Sequence, residues 1–374
     1  MSKQKVMFIS AASSIHTVKW VNALSNDYEV HLVYCKNHKP SNDVINENVI
    51  LHELYFKAPI GYYLNSIQLK MLYNKIQPDI VNVHYASGYG TLARVSKIRV
   101  TLLSIWGSDI YDFPNESKIK KRILQKNIMY ADKIASTSNI MAKELKKQVP
   151  DLNKDIYITP FGVDIDRFKN MNIKKDSRYF NVGIIKALSE KYGIRYAILA
   201  IKKLKDKLRA EKKEKIADSI RLFIYGDGEE KEKLQELIKN ENLEDSVFLM
   251  GKIPNYEVPE ALNTFDVFCA TSILNSESFG VAVVEAMACE LPVVATKTDG
   301  FSEVMIDQDT GYLVEKENAE EIAEKIEEIY NDKNLAKQMG INGRKRVVEK
   351  YNWKDNVNYM KEIYARRSFN KWIL

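Results

Sequence analysis

Short apolar runs alternate with helical stretches along this chain, and the rhythm starts twice. The first series is KVMFIS at residues 5–10, YEVHLVYC at 28–35, DIVNVHYAS at 79–87, VTLLSIWGS at 100–108, KIASTS at 133–138 and IYITPFGVD at 156–164. The second is FNVGII at 180–185, IRLFIYGDG at 220–228, VFLMGKI at 247–253, FDVFCATS at 265–272, LPVVAT at 291–296 and GYLV at 311–314. A half-exposed strand alternates polar and apolar residues, whereas these runs are apolar at successive positions, as strands covered on both faces require. Strands separated by helices imply parallel sheets, so the expectation is two α/β halves in tandem. The join is expected at 162–179, GVDIDRFKNMNIKKDSRY, which is polar and has no apolar period.

Two such halves need length and apolar mass, and 374 residues with 45% apolar and 28% charged side chains supply both. The three cysteines, Cys35, Cys269 and Cys289, lie far apart with no metal-ligand spacing, which fits a reducing compartment. MSKQKVMFIS meets polar residues too soon for a secretory leader, and no window reaches the apolar length of a membrane span. A cytoplasmic protein is therefore expected. The net charge of +6 is uneven. Lys118, Lys120, Lys121, Arg122, Lys126, Lys143, Lys146 and Lys147 crowd one region, which suits a phosphate-bearing substrate or peripheral contact with an anionic membrane. A second cluster at 202–215 is interleaved with acids and reads as a solvated helix face. No helix-turn-helix, zinc or RNA-binding pattern accompanies the charge, so no nucleic acid partner is expected.

Open parallel sheets bind ligands at the carboxyl ends of their strands, so the segments just after the runs are where site residues belong. SAASS leads from the first strand into a helix near His16, with Ser13 and Ser14 at its start, a place for an anion, a sugar hydroxyl or a plain cap. His84 closes a buried strand beside glycines, and Asp109 follows another in WGSD. Lys186 and Lys191 follow FNVGII and would act as point charges on a diphosphate. Gly226 and Gly228 begin a dinucleotide fingerprint that no third glycine completes, which argues against an ordinary NAD enzyme. In NSESFG, Gly280 lets a ligand approach a helix start near Val281. Glu277 lies in the loop before it and Glu285 about one turn into the helix. The two carboxylates would then hold opposite ends of a nucleotide sugar.

This glutamate, seven residues, glutamate element with FG inside it resembles the signature of family-4 retaining glycosyltransferases. PDIVNVHYASGYGTLAR, LLSIWGSDIYDFP and ITPFGVDIDRF are similar to that family's N-terminal half and hinge, and YNWKDNVNYMKEIYARRS to its closing helix. The resemblance implies the GT-B fold, two Rossmann-like domains with the donor in a cleft. It implies an acceptor-binding domain over 1–165, a nucleotide-sugar domain over 166–355 and a helix over 356–374 returning to the first. Position by position, it makes Glu277 a ligand of donor-sugar hydroxyls, with Ser278, Phe279, Gly280 and Val281 around sugar and phosphate. Glu285 would bind ribose, Lys186 and Lys191 the leaving diphosphate, and Gly226 and Asp227 the border of the nucleotide. His84 would stand near the transferred sugar, and Ser13, Ser14, His16 and Asp109 on the acceptor side.

Two positions depart from the pattern: SAASS replaces a usual glycine pair, and Glu290 stands where glycine is common. Retaining glycosidases need two carboxylates about 5 Å apart; here the pair is committed to binding, so the acceptor is expected to attack from the leaving-group face. No metal and no cofactor are expected, because lysines do the neutralising. The expected reaction moves a sugar from a UDP-sugar, with GDP as the alternative, to a glycan or lipid-linked acceptor in surface-polysaccharide synthesis. A nucleotide-sugar epimerase, a sugar phosphorylase and a non-catalytic carbohydrate-binding scaffold are the rivals. The scaffold predicts decay of the donor set, whereas Glu277, Glu285, Lys186 and Lys191 are all present.

Overall fold

A computed structural model of the chain describes residues 3–41 and 44–366. They form two compact units, one reaching Phe161 and resuming at Lys354, the other Gly162–Trp353.

The first unit is a seven-stranded parallel sheet in the order β3-β2-β1-β4-β5-β6-β7, with β1 Lys5–Ile9, β2 Glu29–Cys35, β3 Val49–Leu54, β4 Ile80–His84, β5 Leu102–Ile105, β6 Lys133–Ser136 and β7 Ile156–Ile158. Met7, Ile9, Val83, Leu103, Ile105 and Ile134 share one core with the helices laid over them. β3 escaped the sequence reading for a physical reason. It is an edge strand whose middle residues are mostly solvent-exposed, so VILHEL lacks a continuous apolar run. The helix Ile15–Leu24 follows β1 as expected.

The helix Trp353–Ala365 joins this unit through residues spaced as one helical face, Val357, Met360, Ile363 and Tyr364. The Asn82 amide donates to the Tyr364 hydroxyl at 2.7 Å, and the Lys133 ammonium donates to the Ile363 carbonyl at 2.8 Å. The last eight positions expected in this returning segment, 367–374, lie outside the described residues.

The second unit is a six-stranded parallel sheet in the order β10-β9-β8-β11-β12-β13, with β8 Phe180–Ile185, β9 Ile220–Tyr225, β10 Val247–Gly251, β11 Val267–Ala270, β12 Val293–Thr296 and β13 Gly311–Val314. The polar stretch at 162–179, expected as a join, belongs to this unit. The Arg344 guanidinium donates to the Phe168 and Ile165 carbonyls, and the Asn263 amide donates to the Lys169 carbonyl. Its backbone finds partners in side chains, so no apolar period was needed to hold it. The basic run at 202–215 is a solvated ionic face, with Lys203 on Glu320, Lys207 on Glu327 and Lys213 on Glu211.

Each chain path turns back at one pair of neighbouring strands. In the first unit β1 and β4 are neighbours while the chain goes outward through β2 and β3 on one side and β5 onward on the other. In the second, β8 and β11 play the same part. At such a switch point the loops diverge above the strand ends and leave a crevice.

Candidate functional site

In the second unit the loops after β8 and β11 meet at the switch point. The Lys191 carbonyl accepts the Ile273 N–H at 2.9 Å and the Tyr192 carbonyl accepts the Thr271 hydroxyl at 3.1 Å, which docks the lysine loop on the β11 end. Lys186 and Lys191 then flank one ring: their ammonium groups lie 4.3 and 4.8 Å from the Tyr192 centroid. Tyr192 was not singled out in the sequence, although its place between the lysine and the left-handed Gly193 in SEKYG was there to be read.

The Lys186 ammonium also pairs with the Glu277 carboxylate at 2.5 Å, with side-chain exposures of 26% and 11%. Burial alone would lower the Lys186 pKa. Glu277, Tyr192 and Glu285 outweigh it and hold the group above the ordinary lysine value, so it is a stable cation. The Ser272 hydroxyl lies 3.5 Å from the same carboxylate, and the Gly300 N–H donates to the Glu277 carbonyl at 3.1 Å, fixing the loop.

Behind Glu277 the chain enters the helix Val281–Ala288 through Gly280, at φ 80°. A side chain there would be strained and would meet the Phe301 ring at 2.6 Å. The first N–H groups of a helix have no partner one turn earlier, so they present a positive pole beside Lys186. Glu285, half-buried in the same helix, acts electrostatically on Lys186. A small pocket is lined by Lys186, Tyr192, Ser272, Gly280, Ala282 and Phe301 among others.

Gly226 and Asp227 work from behind. The Lys186 N–H donates to the Tyr225 carbonyl and the Leu188 N–H to the Asp227 carbonyl. A Cβ at Gly226 would lie 1.8 Å from the Lys186 carbonyl oxygen. The glycine turn is thus the support on which the Lys186 loop rests. Ser278 and Phe279 are buried, so at these two positions the backbone rather than the side chains is suited to meet a ligand. Glu290 sits at φ 62°, the left-handed conformation that makes glycine common there.

In the first unit, His84 ends β4 at 1% exposure. Its Nδ1 lies 3.0 Å from the Ser10 hydroxyl, which in turn contacts the Thr17 hydroxyl at 2.7 Å. The His84 ring packs on Trp106 at 4.3 Å, and His16 stacks on Phe161 at 3.8 Å. Burial first, and His16 second, push the His84 pKa down to about 3, so the imidazole stays neutral at any physiological pH. It is a hydrogen-bonding group, not a cation. Ser14 stands at the cap position of the helix Ile15–Leu24 without a side-chain cap bond, and Ser13 is exposed.

Asp109 corrects an expectation. Its carboxylate is sealed at 1% exposure and accepts the N–H groups of Ala86 at 2.9 Å, Trp106 at 3.1 Å and Gly107 at 2.9 Å. It staples the loops after β4 and β5 together and has no free face for an acceptor. Burial raises its pKa in spite of these bonds. A strand-end aspartate looks alike in sequence whether it points outward or folds back on the turn's own N–H groups.

Comparison with known proteins finds two family models on the chain. Residues 5–138 match "Glycosyl transferase 4-like" and residues 165–346 match "Glycosyl transferases group 1". An uncharacterized glycosyltransferase of Methanocaldococcus jannaschii is 27% identical over 365 residues, 95% of this chain and 94% of that protein. The capsular polysaccharide biosynthesis glycosyltransferase CapM of Staphylococcus aureus is 26% identical over 82% of each chain. The fold matches sucrose-phosphate synthase from Thermosynechococcus elongatus with a TM-score of 0.82 at 18% identity, over 97% of this chain and 98% of that one.

Proposed function

Because the chain belongs to the family-4-like glycosyltransferases of GT-B fold, we propose that it moves a sugar from a nucleotide-diphosphate sugar, UDP first and GDP as the alternative, with retention of anomeric configuration. The acceptor is a glycan or lipid-linked glycan of surface-polysaccharide synthesis, and the enzyme works in the cytoplasm, in peripheral contact with the membrane's inner face. One observation carries the donor reading: Lys186, Lys191, Glu277, Glu285 and the helix start at Gly280 converge at the β8/β11 switch point.

Cleavage of the bond to diphosphate puts negative charge on the leaving oxygen. A permanently charged Lys186, a second ammonium at Lys191 and a helix N-terminus are preorganised for that charge, which is often the largest catalytic term. Glu277 now holds Lys186; with donor bound, the phosphate takes the ammonium and the carboxylate turns to sugar hydroxyls. Glu285 accepts the ribose hydroxyls. The departing phosphate oxygen takes the acceptor's proton as the acceptor attacks on the same face, so no covalent glycosyl-enzyme forms. This charge supply makes a metal unnecessary, and no cofactor is required. His84, neutral, buried and held by Ser10 and Trp106, positions the end of β4 near the transferred sugar rather than contacting it.

The test is a thermal-shift and turnover screen of nucleotide sugars in EDTA. One UDP- or GDP-sugar should raise the melting point, and Glu285→Ala should abolish the shift. If no nucleotide or nucleotide sugar shifts the wild type, the donor reading fails and the scaffold reading takes its place.

A further inference from the structure

The first unit contains a second pocket, of about 570 Å³, lined by Lys120 of the basic run and by none of the residues expected around the donor, the transferred sugar or the acceptor. Its walls come from three helices, Gly61–Leu64, Gly88–Val95 and Lys118–Tyr130, and from the ends of β1, β2 and β4. Tyr62, Tyr63, Tyr85, Tyr89, Phe113 and Ile123 make it predominantly apolar. Tyr85 contributes from φ 71°, a conformation costly for a tyrosine and of the kind found where a side chain must be aimed. Polar groups are few. The His38 Nδ1 and the Tyr89 hydroxyl lie 2.8 Å apart, and Lys120 stands over the Phe113 ring at 5.4 Å. Among the described residues no carboxylate or amide side chain lines the pocket. Sugar hydroxyls favour such groups, so a bare sugar is a poor occupant, whereas an apolar chain ending in a phosphate fits both the walls and the Lys120 ammonium.

The rim gives the direction of entry. Across the helices Gly61–Leu64 and Ser66–Ile76, the buried positions Gly61, Asn65, Leu69 and Ile76 mark one face. Ile60, Tyr63, Leu64, Ile67 and Met71 fall at i, i+3, i+4, i+7 and i+11, the spacing of one helical face, on the opposite side. They are open to solvent, Ile60 at 68%, Ile67 at 75% and Met71 at 66%. An amphipathic helix keeps polar residues on that side; here both sides are apolar as far as Met71, and polar residues, Asn74 and Lys75, are exposed only in the last turn. The second wall, Lys118–Tyr130, is basic. Among the described residues no acid pairs with Lys118, Lys121, Arg122 or Lys126, in contrast to the paired lysines at 202–215; Lys120 pairs with Glu116. An apolar stripe beside unpaired lysines is complementary to an anionic bilayer surface. Tyr63 lies on the stripe and Lys120 on the basic helix, and both line the pocket.

We propose that this pocket holds the lipid-phosphate end of a bilayer-borne acceptor, and that the 60–71 stripe enters the headgroup layer to admit it. The inference rests on the transferase reading and names its acceptor as a lipid phosphate rather than a free glycan. The apolar chain lies along the tyrosines and Ile123, and the phosphate meets Lys120 and His38 in place of Glu116.

The test uses the full chain without nucleotide or donor, so its failure is separable from failure of the donor reading. Farnesyl phosphate, farnesol and inorganic phosphate are titrated by calorimetry, and sedimentation is measured with phosphatidylcholine vesicles doped with farnesyl phosphate. Farnesyl phosphate should bind about tenfold tighter than farnesol, the worth of one charge-assisted hydrogen bond, and inorganic phosphate should not bind measurably. Ile123→Asp should lose farnesyl phosphate, and Lys120→Glu should reduce it to the level of farnesol. Ile67→Asp should keep binding in solution and lose sedimentation with vesicles. All three side chains are at least partly exposed, and circular dichroism with the melting point verifies that each variant folds. The proposal is overturned if farnesyl phosphate fails to bind, if folded Ile123→Asp binds it as the wild type does, or if Ile67→Asp sediments unchanged.

Discussion

Lys186 is the residue on which the proposed donor site turns. It is cationic because Glu277, Tyr192 and Glu285 surround it, and each of those is itself a candidate ligand of the donor. Lys186→Gln keeps a donor but removes the charge, so it should lower kcat about 100- to 1000-fold, the usual cost of one preorganised group at a developing anion. KM for the nucleotide sugar should change far less, because Glu285 and the helix start remain. A kcat loss below tenfold, measured at saturating donor, would place the leaving-group charge elsewhere. The motif marked Lys186, Lys191, Glu277 and Glu285 in the sequence, since their spacing is local. It did not mark Tyr192, whose importance comes from lysines on both sides of one ring.

At the scale of elements, the site depends on how closely two turns approach. The Gly226 turn carries the Lys186 loop, with no room for a Cβ above the Lys186 carbonyl. Gly226→Ala should therefore cost about 1–3 kcal/mol of stability and reduce transfer together with donor affinity, because the Lys186 loop must move. Chemical denaturation and donor titration on one preparation measure both. A variant with wild-type stability and turnover would show that the turn does not set the lysine's position. Here the sequence was half legible. The glycines were visible, and their failure to complete a dinucleotide fingerprint was informative. Which loop they support depends on β9 lying beside β8, a pairing no local pattern reveals.

On the scale of the molecule, the chain leaves the first unit at Phe161 and returns to it at Lys354. The returning helix buries Val357, Met360, Ile363 and Tyr364, and Tyr364 accepts from Asn82 in the middle of β4, the strand that ends in His84. Tyr364→Ala should destabilise by about 3–5 kcal/mol, as for other buried aromatic truncations, although the residue lies 282 positions from its partner. Tyr364→Phe, which loses only the hydrogen bond, should cost about 1 kcal/mol. Urea unfolding of the two variants separates packing from hydrogen bonding, and equal losses would contradict the burial seen here.

Period and composition alone determined that this chain makes two parallel α/β units, because buried strands must be apolar at successive positions and the pattern restarts after residue 179. The motif spacing also determined which carboxylates and lysines follow β8 and β11. Tertiary structure decided the rest. It sealed Asp109 among three N–H groups, neutralised His84 by burial and assembled an aromatic pocket from three helices distant in sequence. It also placed an apolar stripe on the solvent side of a helix whose other face was already satisfied. The physical reason is common to these cases. Periodicity reports how a segment meets an environment averaged over its length. A pKa, a sealed carboxylate or a pocket depends on which particular atoms from remote segments arrive beside it.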